Sequence, residues 1–133
     1  MANLSTVAAA RVAHQAVKSF WESQGVCDIK DWEKTTQLER DRMLEMASSG
    51  LAQFSGVEYM HSAWVATMMR KEWQWGEEYE PKAKLDPRIL DYDDLEEVYK
   101  AEVNLIHGVV SAVESFANPV RTFMRAVPVP DAK

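Results

Sequence analysis

The chain is short of most residue types from which specialised scaffolds are built. Its single cysteine, Cys27, has no partner for an internal disulfide and no second thiol for a zinc site. Its five glycines are too scattered to build a phosphate-cradling loop, a nucleophile elbow or a dinucleotide fingerprint. No apolar run approaches the ~20 residues that a membrane helix needs. The amino-terminal MANLSTVAAARVAHQ lacks a basic leader and a sustained apolar stretch. Basic charge is also in deficit, 15 Lys+Arg against 21 Asp+Glu for a net −6, which argues against a grip on a nucleic-acid polymer. At 133 residues and 47% apolar, the expectation is one folded, soluble, cytoplasmic domain with no membrane partner.

Apolar spacing predicts four helices. The first follows Ser5 and Thr6 as N-cap candidates, carries Val7, Val12, Ala16, Val17, Phe20 and Trp21, and stops at Gly25. The second opens with Thr36 and Glu39 at capping-box spacing and would bury Leu38, Met43, Leu44, Ala47 and Leu51. Ser55 and Glu58 repeat that device before a third helix through Met60, Trp64, Val65 and Met68. The fourth is expected to begin near Asp93 or Asp94, where acidic side chains suit the positive end of the helix dipole. Its stripe is Leu95, Val98, Leu105, Ile106, Val109, Val113 and Phe116, and Asn118-Pro119 ends it.

Between the third and fourth helices, residues 72–92 contain Trp73, Trp75, Gly76, Tyr79, Pro81 and Pro87, which resist a continuous helix. Extended strands or an ordered loop packed on the helices are expected there. The domain is placed at 1–117, with a proline-containing tail at 118–133. The fold class is therefore mainly α: a compact four-helix domain with a short β element around Trp73–Gly76.

Catalytic constellations are not visible. His14, His61 and His107 are dispersed, with no metal-ligand spacing such as HxxxH or HExxH. The acidic run from Asp91 to Glu97 lacks the central glycine and ligand spacing of a calcium loop, so helix capping accounts for it better. Neither a metal nor a cofactor is expected, and the chain is read as non-enzymatic. Tryptophan is the unusual feature, with five in the chain and Trp64, Trp73 and Trp75 close together. Large aromatics ordinarily fill a small core. On a strand, however, Trp73 and Trp75 would point the same way. Flanked by Arg70, Lys71, Lys82 and Lys84, they would then offer a base-stacking surface with cations for phosphates.

The same segment resembles the RyR domain, the repeat named after ryanodine receptors and also found alone in bacterial and phage proteins. His61-Ser-Ala-Trp64, then Trp73-Gln-Trp75-Gly76, then Lys84, Pro87, Tyr92 and Leu95 follow that family's pattern without a gap. Ala10-Arg11-Val12-Ala13-His14, Trp32, Arg40, Lys100 and the run Leu105, Ile106, Val109, Val110, Val113 extend the likeness over residues 7–113. Gln15, Met68, Trp75, Glu77, Asp86 and Asp91 depart from the pattern, three of them making the surface more acidic or less basic. These departures bear on ligand preference more than on the fold.

The resemblance implies a helical domain without established catalysis, in which the first motif tryptophan helps to stack an adenine nucleotide between paired repeats. It implies Trp73 as the stacking residue and Trp75 and Trp64 as its aromatic surroundings. Arg11, Arg70, Lys71 and Lys84 become phosphate contacts, and His14, His61 and Tyr92 become partners for a ribose or base edge. A lone repeat would pair with a second copy as a homodimer or higher homo-oligomer. The function expected is binding of an adenine-containing or cyclic signalling nucleotide, as in a phage-encoded sponge acting in the bacterial host cytoplasm. The alternative is a protein-interaction or inhibitor module without a small-molecule ligand, because tryptophan and arginine also dominate interface hot spots.

Overall fold

The computed structural model describes residues 4–50 and 56–117, which form a mainly α domain of four helices. These are α1 (Leu4–Ser23), α2 (Gln37–Gly50), α3 (Val57–Arg70) and α4 (Glu97–Ala117). The expected tail at 118–133, the Asn118-Pro119 stop, Leu51 and Ser55 lie outside the described residues. α1 packs chiefly on α4 and α2, and α2 packs in turn on α3. Trp21 near the end of α1 meets Tyr99 near the start of α4, so the two helices run antiparallel.

Local chemistry explains the helix boundaries. α1 already includes Leu4, so Ser5 and Thr6 sit inside the helix, and Thr6 is buried. Gly25 ends α1 with a φ of 90°, a left-handed conformation that glycine adopts without a Cβ clash. At α2 the Glu39 amide donates to Thr36 Oγ1 at 3.2 Å, half of the expected capping box. The Glu39 carboxylate turns away from the cap to other partners described below. Gly56 occupies the N-cap position of α3, with no side-chain hydrogen bond to the cap. Asp93 and Asp94 fall in a separate 3-10 turn, Tyr92–Asp94, and α4 begins only at Glu97.

The core faces differ from the expected stripes in informative ways. On α1 the fully buried face is Ala9, Ala10 and Ala13, continued by Val17, while Val12 is exposed. Small side chains permit a close approach of helix backbones, so that face is read from burial and not from bulk. Leu38 and Phe116 are likewise exposed, and Met46, Val103 and Val110 are buried in their stead. α3 follows its pattern, burying Met60, Trp64 and Met68 together with His61.

The connection from α3 to α4 is an ordered loop and not a strand pair. It contains only isolated bridges, Gln74 with Leu85 and Glu80 with Leu85, and the 3-10 turns Pro81–Ala83 and Tyr92–Asp94. Its direction is set at the end of α3. The Trp73 amide donates to the Met68 carbonyl at 3.0 Å, and the Glu72 amide to the Met69 carbonyl at 2.9 Å. With Glu72 at a φ of 72°, this is a Schellman closure built on glutamate where glycine is usual. Such a closure brings the residue after the left-handed position back onto the last turn, and Trp73 and Met68 are both buried there.

Candidate functional site

A cavity of about 370 Å³ opens beside the helix junction. The second half of α1 supplies His14, Val17 and Trp21, and α2 supplies Glu39, Arg42, Met43 and Met46. Glu102 and Ile106 of α4 close the back, with Tyr79 and Arg88 entering from the long loop. The α1–α2 connection contributes Asp28, Ile29, Lys30, Lys34, Thr35 and Thr36. Val17, Trp21, Ile29, Met43, Met46 and Ile106 make up the apolar part of the lining, and Asp28, Lys30, Lys34, Glu39, Arg42, Arg88 and Glu102 the charged part.

That connection is held firmly. His14 Nε2 lies 2.6 Å from the Lys30 carbonyl, which can only accept, so this nitrogen carries the proton. The His14 ring meets Trp32 edge-on at 5.7 Å. The Trp32 amide donates to Gln15 Oε1 at 3.3 Å, and Arg40 donates to the carbonyls of Trp32 and Glu33, each at 2.9 Å.

A continuous ionic network forms part of the cavity wall and continues to Asp86. Asp86, fully buried, accepts from the Arg88 amide at 2.9 Å, from Arg88 Nη1 at 3.0 Å and from Arg42 Nη2. Arg88 also forks onto Glu102, with Nε–Oε1 at 2.6 Å and Nη2–Oε2 at 3.2 Å. The Trp21 indole donates to the same carboxylate at 3.0 Å. Glu39 accepts from Arg42 Nη1 at 3.4 Å and from the Tyr79 hydroxyl. The Arg42 guanidinium lies 4.8 Å from the Tyr79 ring centre, 5.2 Å from that of Trp73 and 5.7 Å from that of Trp64. Trp73 and Tyr79 are nearly parallel, 10° apart with centroids separated by 6.1 Å.

Electrostatics follow from these contacts. Burial opposes the charge on Arg88, but Glu102 and Asp86 outweigh it and hold the guanidinium ionised far above its ordinary pKa. Burial raises the Tyr79 pKa against the opposing pull of Arg42, so its hydroxyl remains a donor to Glu39. Burial pushes the His61 imidazole below its ordinary value, only partly offset by its hydrogen bond to the Leu90 carbonyl at 2.8 Å.

The residues expected to form the site are dispersed, and of them only His14 lines the cavity. Trp73 and Trp75 do not share a face: Trp73 is 4% exposed and Trp75 50%. Period two is not enforced because no strand passes through them, only the single bridge at Gln74. The Trp73 ring is covered by Tyr79 and Arg42, and no open stacking face remains on it. Trp64 is fully buried, its indole N–H without a partner, and His61 lies beside it.

The expected phosphate contacts are engaged on the surface. Arg11 pairs with Glu33, Lys71 with Glu45 at 2.7 Å, and Lys84 donates to the Lys71 carbonyl at 2.9 Å. Arg70 donates to Thr67 at 3.1 Å, and Tyr92 accepts from Asn104 with Lys100 over its ring. Asp86, read as a surface departure from the RyR pattern, is an interior ion. Sequence reading missed Arg42, Arg88, Glu39, Glu102 and Tyr79. The available signal was local, Arg42 three residues after Glu39 on α2, but its partner Asp86 is 44 positions away.

Among the described residues there is no group of three His, Cys, Asp or Glu side chains placed to hold a metal ion. No helix among them is long and apolar enough to cross a membrane. Comparison with known proteins finds no matching family model, no matching curated protein and no matching solved structure. The likeness to the RyR repeat therefore rests on the spacings quoted above.

Proposed function

We propose that this chain is a non-catalytic binding domain for a small phosphate-bearing molecule, of the class of adenine-containing or cyclic signalling nucleotides. The observation that carries the reading is the 370 Å³ cavity, within the size range of small-molecule sites and lined in part by apolar side chains. Val17, Met43, Met46 and Ile106 suit a planar base. Lys30 and Lys34 are exposed on the same cavity and enter no ion pair among the described residues, so both ammonium groups are open to phosphate oxygens. Arg42, Arg88 and Glu102 of the wall are tied into ion pairs, an arrangement that suits holding a ligand rather than activating a nucleophile. The RyR resemblance adds the biological setting, a sponge that sequesters a host immune nucleotide in a bacterial cytoplasm. In this reading the cavity belongs to one chain, and pairing of chains is not required to complete it.

The test is thermal shift and calorimetry against AMP, ADP, ATP, cyclic di- and trinucleotides and cyclic ADP-ribose. A ligand at a hundredfold excess over its Kd stabilises the fold by about 2.7 kcal/mol. Replacing both lysines, Lys30→Glu with Lys34→Glu, is expected to abolish that shift. Nucleotide recovered intact after heat denaturation agrees with the proposal, and cleaved product refutes it. Trp75, half exposed, and Met69, 59% exposed, favour the protein-interaction reading if the whole panel leaves the melting temperature unchanged.

A further inference from the structure

The ionic network of the cavity wall does not balance. It contains three carboxylates, Glu39, Asp86 and Glu102, and two guanidiniums, Arg42 and Arg88. Asp86 takes a contact from each arginine, and Glu102 takes the bidentate fork of Arg88 plus the Trp21 indole. Glu39 is left with the longest of the arginine contacts, 3.4 Å, and the neutral Tyr79 hydroxyl. A carboxylate offers about four acceptor positions, so Glu39 retains acceptor capacity. It is also the most open of the three, its side chain 29% exposed against 6% for Glu102 and 0% for Asp86. Glu39 lines the cavity. The exposed Lys30 and Lys34 on the α1–α2 connection carry the opposite sign. Asp28 stands on the same connection, so the loop side of the lining keeps one net positive charge, and Glu39 on α2 is the lining carboxylate least matched by arginine.

We infer that Glu39 is the specificity-determining residue of this cavity, accepting a hydrogen bond from an amino group of the ligand while Lys30 and Lys34 hold its phosphate. This rests on the cavity being the ligand site, and it narrows the ligand to molecules with an amino group at one end and an anion at the other. A nucleotide whose base lacks an exocyclic amine leaves the spare acceptor positions of Glu39 desolvated without a donor. A site built to hydrogen-bond a donor discriminates strongly against an analogue without it.

The probes are AMP and purine riboside 5′-monophosphate, which differ only in the amino group, titrated calorimetrically into the wild type and Glu39→Gln. The wild type is expected to prefer AMP by about tenfold or more, the scale of a hydrogen bond to a charged group. Glu39→Gln is expected to lose most of that preference. Equal affinity of the wild type for the two nucleotides overturns the inference while leaving the cavity a nucleotide site. If neither nucleotide binds, the nucleotide reading fails, and the ligand-free variant decides the present inference separately. Gln keeps an oxygen for the Tyr79 hydroxyl and leaves Arg42 its contact with Asp86, so Glu39→Gln is expected to shift the melting temperature by less than about 3 °C. A melting temperature lowered by several degrees would make Glu39 a structural partner of Arg42 and Tyr79 and overturn its assigned role. The Thr36 cap is made by the Glu39 backbone amide, so the substitution leaves it in place.

Discussion

Replacing Asp86 by Asn removes one negative charge from between two arginines without changing the volume of the side chain. Asp86 is completely buried, and the Arg42 and Arg88 side chains are only 11% and 15% exposed, so solvent screens the triad poorly. Removing one member of a buried pair costs about 3–5 kcal/mol, because the remaining charge stays desolvated. Asn keeps an oxygen for the Arg88 amide, and Glu39 and Glu102 still face the two arginines, which places the cost at the lower end, about 3 kcal/mol. With an unfolding entropy of about 2.1 cal/mol/K per residue, that corresponds to a fall in melting temperature of about 10 °C. Urea and thermal unfolding at neutral pH measure it directly. Adding Arg42→Met to Asp86→Asn removes the stranded cation, so the double variant is expected to lose less than the sum of the singles by about 1 kcal/mol or more. A melting temperature within about 2 °C of the wild type, or strict additivity in the cycle, would refute the argument that these charges stabilise one another.

Further expectations come from single positions. Glu72→Gly should stabilise the fold by about 1 kcal/mol, because glycine relieves the left-handed backbone that glutamate now occupies; a loss of stability in urea would count against the Schellman closure. Gly76→Ala should destabilise by about 1–3 kcal/mol, since a new Cβ would stand 2.6 Å from Leu85 Cβ. Trp73→Ala should cost about 3–5 kcal/mol and Trp75→Ala within about 0.5 kcal/mol, a contrast that denaturation of the pair reads at once. His61 binds a proton less readily folded than unfolded. Its contribution is complete above the ordinary imidazole value of 6.5 and is lost as pH falls from there through the lower folded value. Melting curves from pH 8 to 5 should show this slope, and His61→Gln should flatten it.

The helical frame was largely legible because its signals are local. Gly25, the Thr36 cap and the Met60–Trp64–Met68 spacing act within a turn or two of the residues that they organise. Where bulk was taken as a proxy for burial, it misled. The inner face of α1 is alanine, chosen for close approach, and Val12, Leu38 and Phe116 remain in solvent. The inward turn of Trp73 was hidden because it depends on a glutamate adopting a backbone conformation that glycine normally signals. The site was the least legible part. Asp86 meets Arg42 from 44 positions away, and Trp21 meets Glu102 from 81. No spacing rule reaches across such separations, and an aspartate that looks like surface acidity in one dimension becomes an interior ion in three.

The anchoring of the α1–α2 connection has a consequence for the kinetics of the proposed binding. With the Lys30 carbonyl tied to His14 and Trp32 clasped by Gln15 and Arg40, the lysine-bearing wall is in place before a ligand arrives. If the cavity takes the proposed ligand, the α1–α2 connection does not have to order on binding and adds little entropic cost to association. Changes at Lys30, Lys34 or Glu39 should then register mainly as shorter residence times, with arrival rates altered far less. Under the sponge proposal, the dwell time of each occupant, multiplied by the number of copies present, sets how much is withheld.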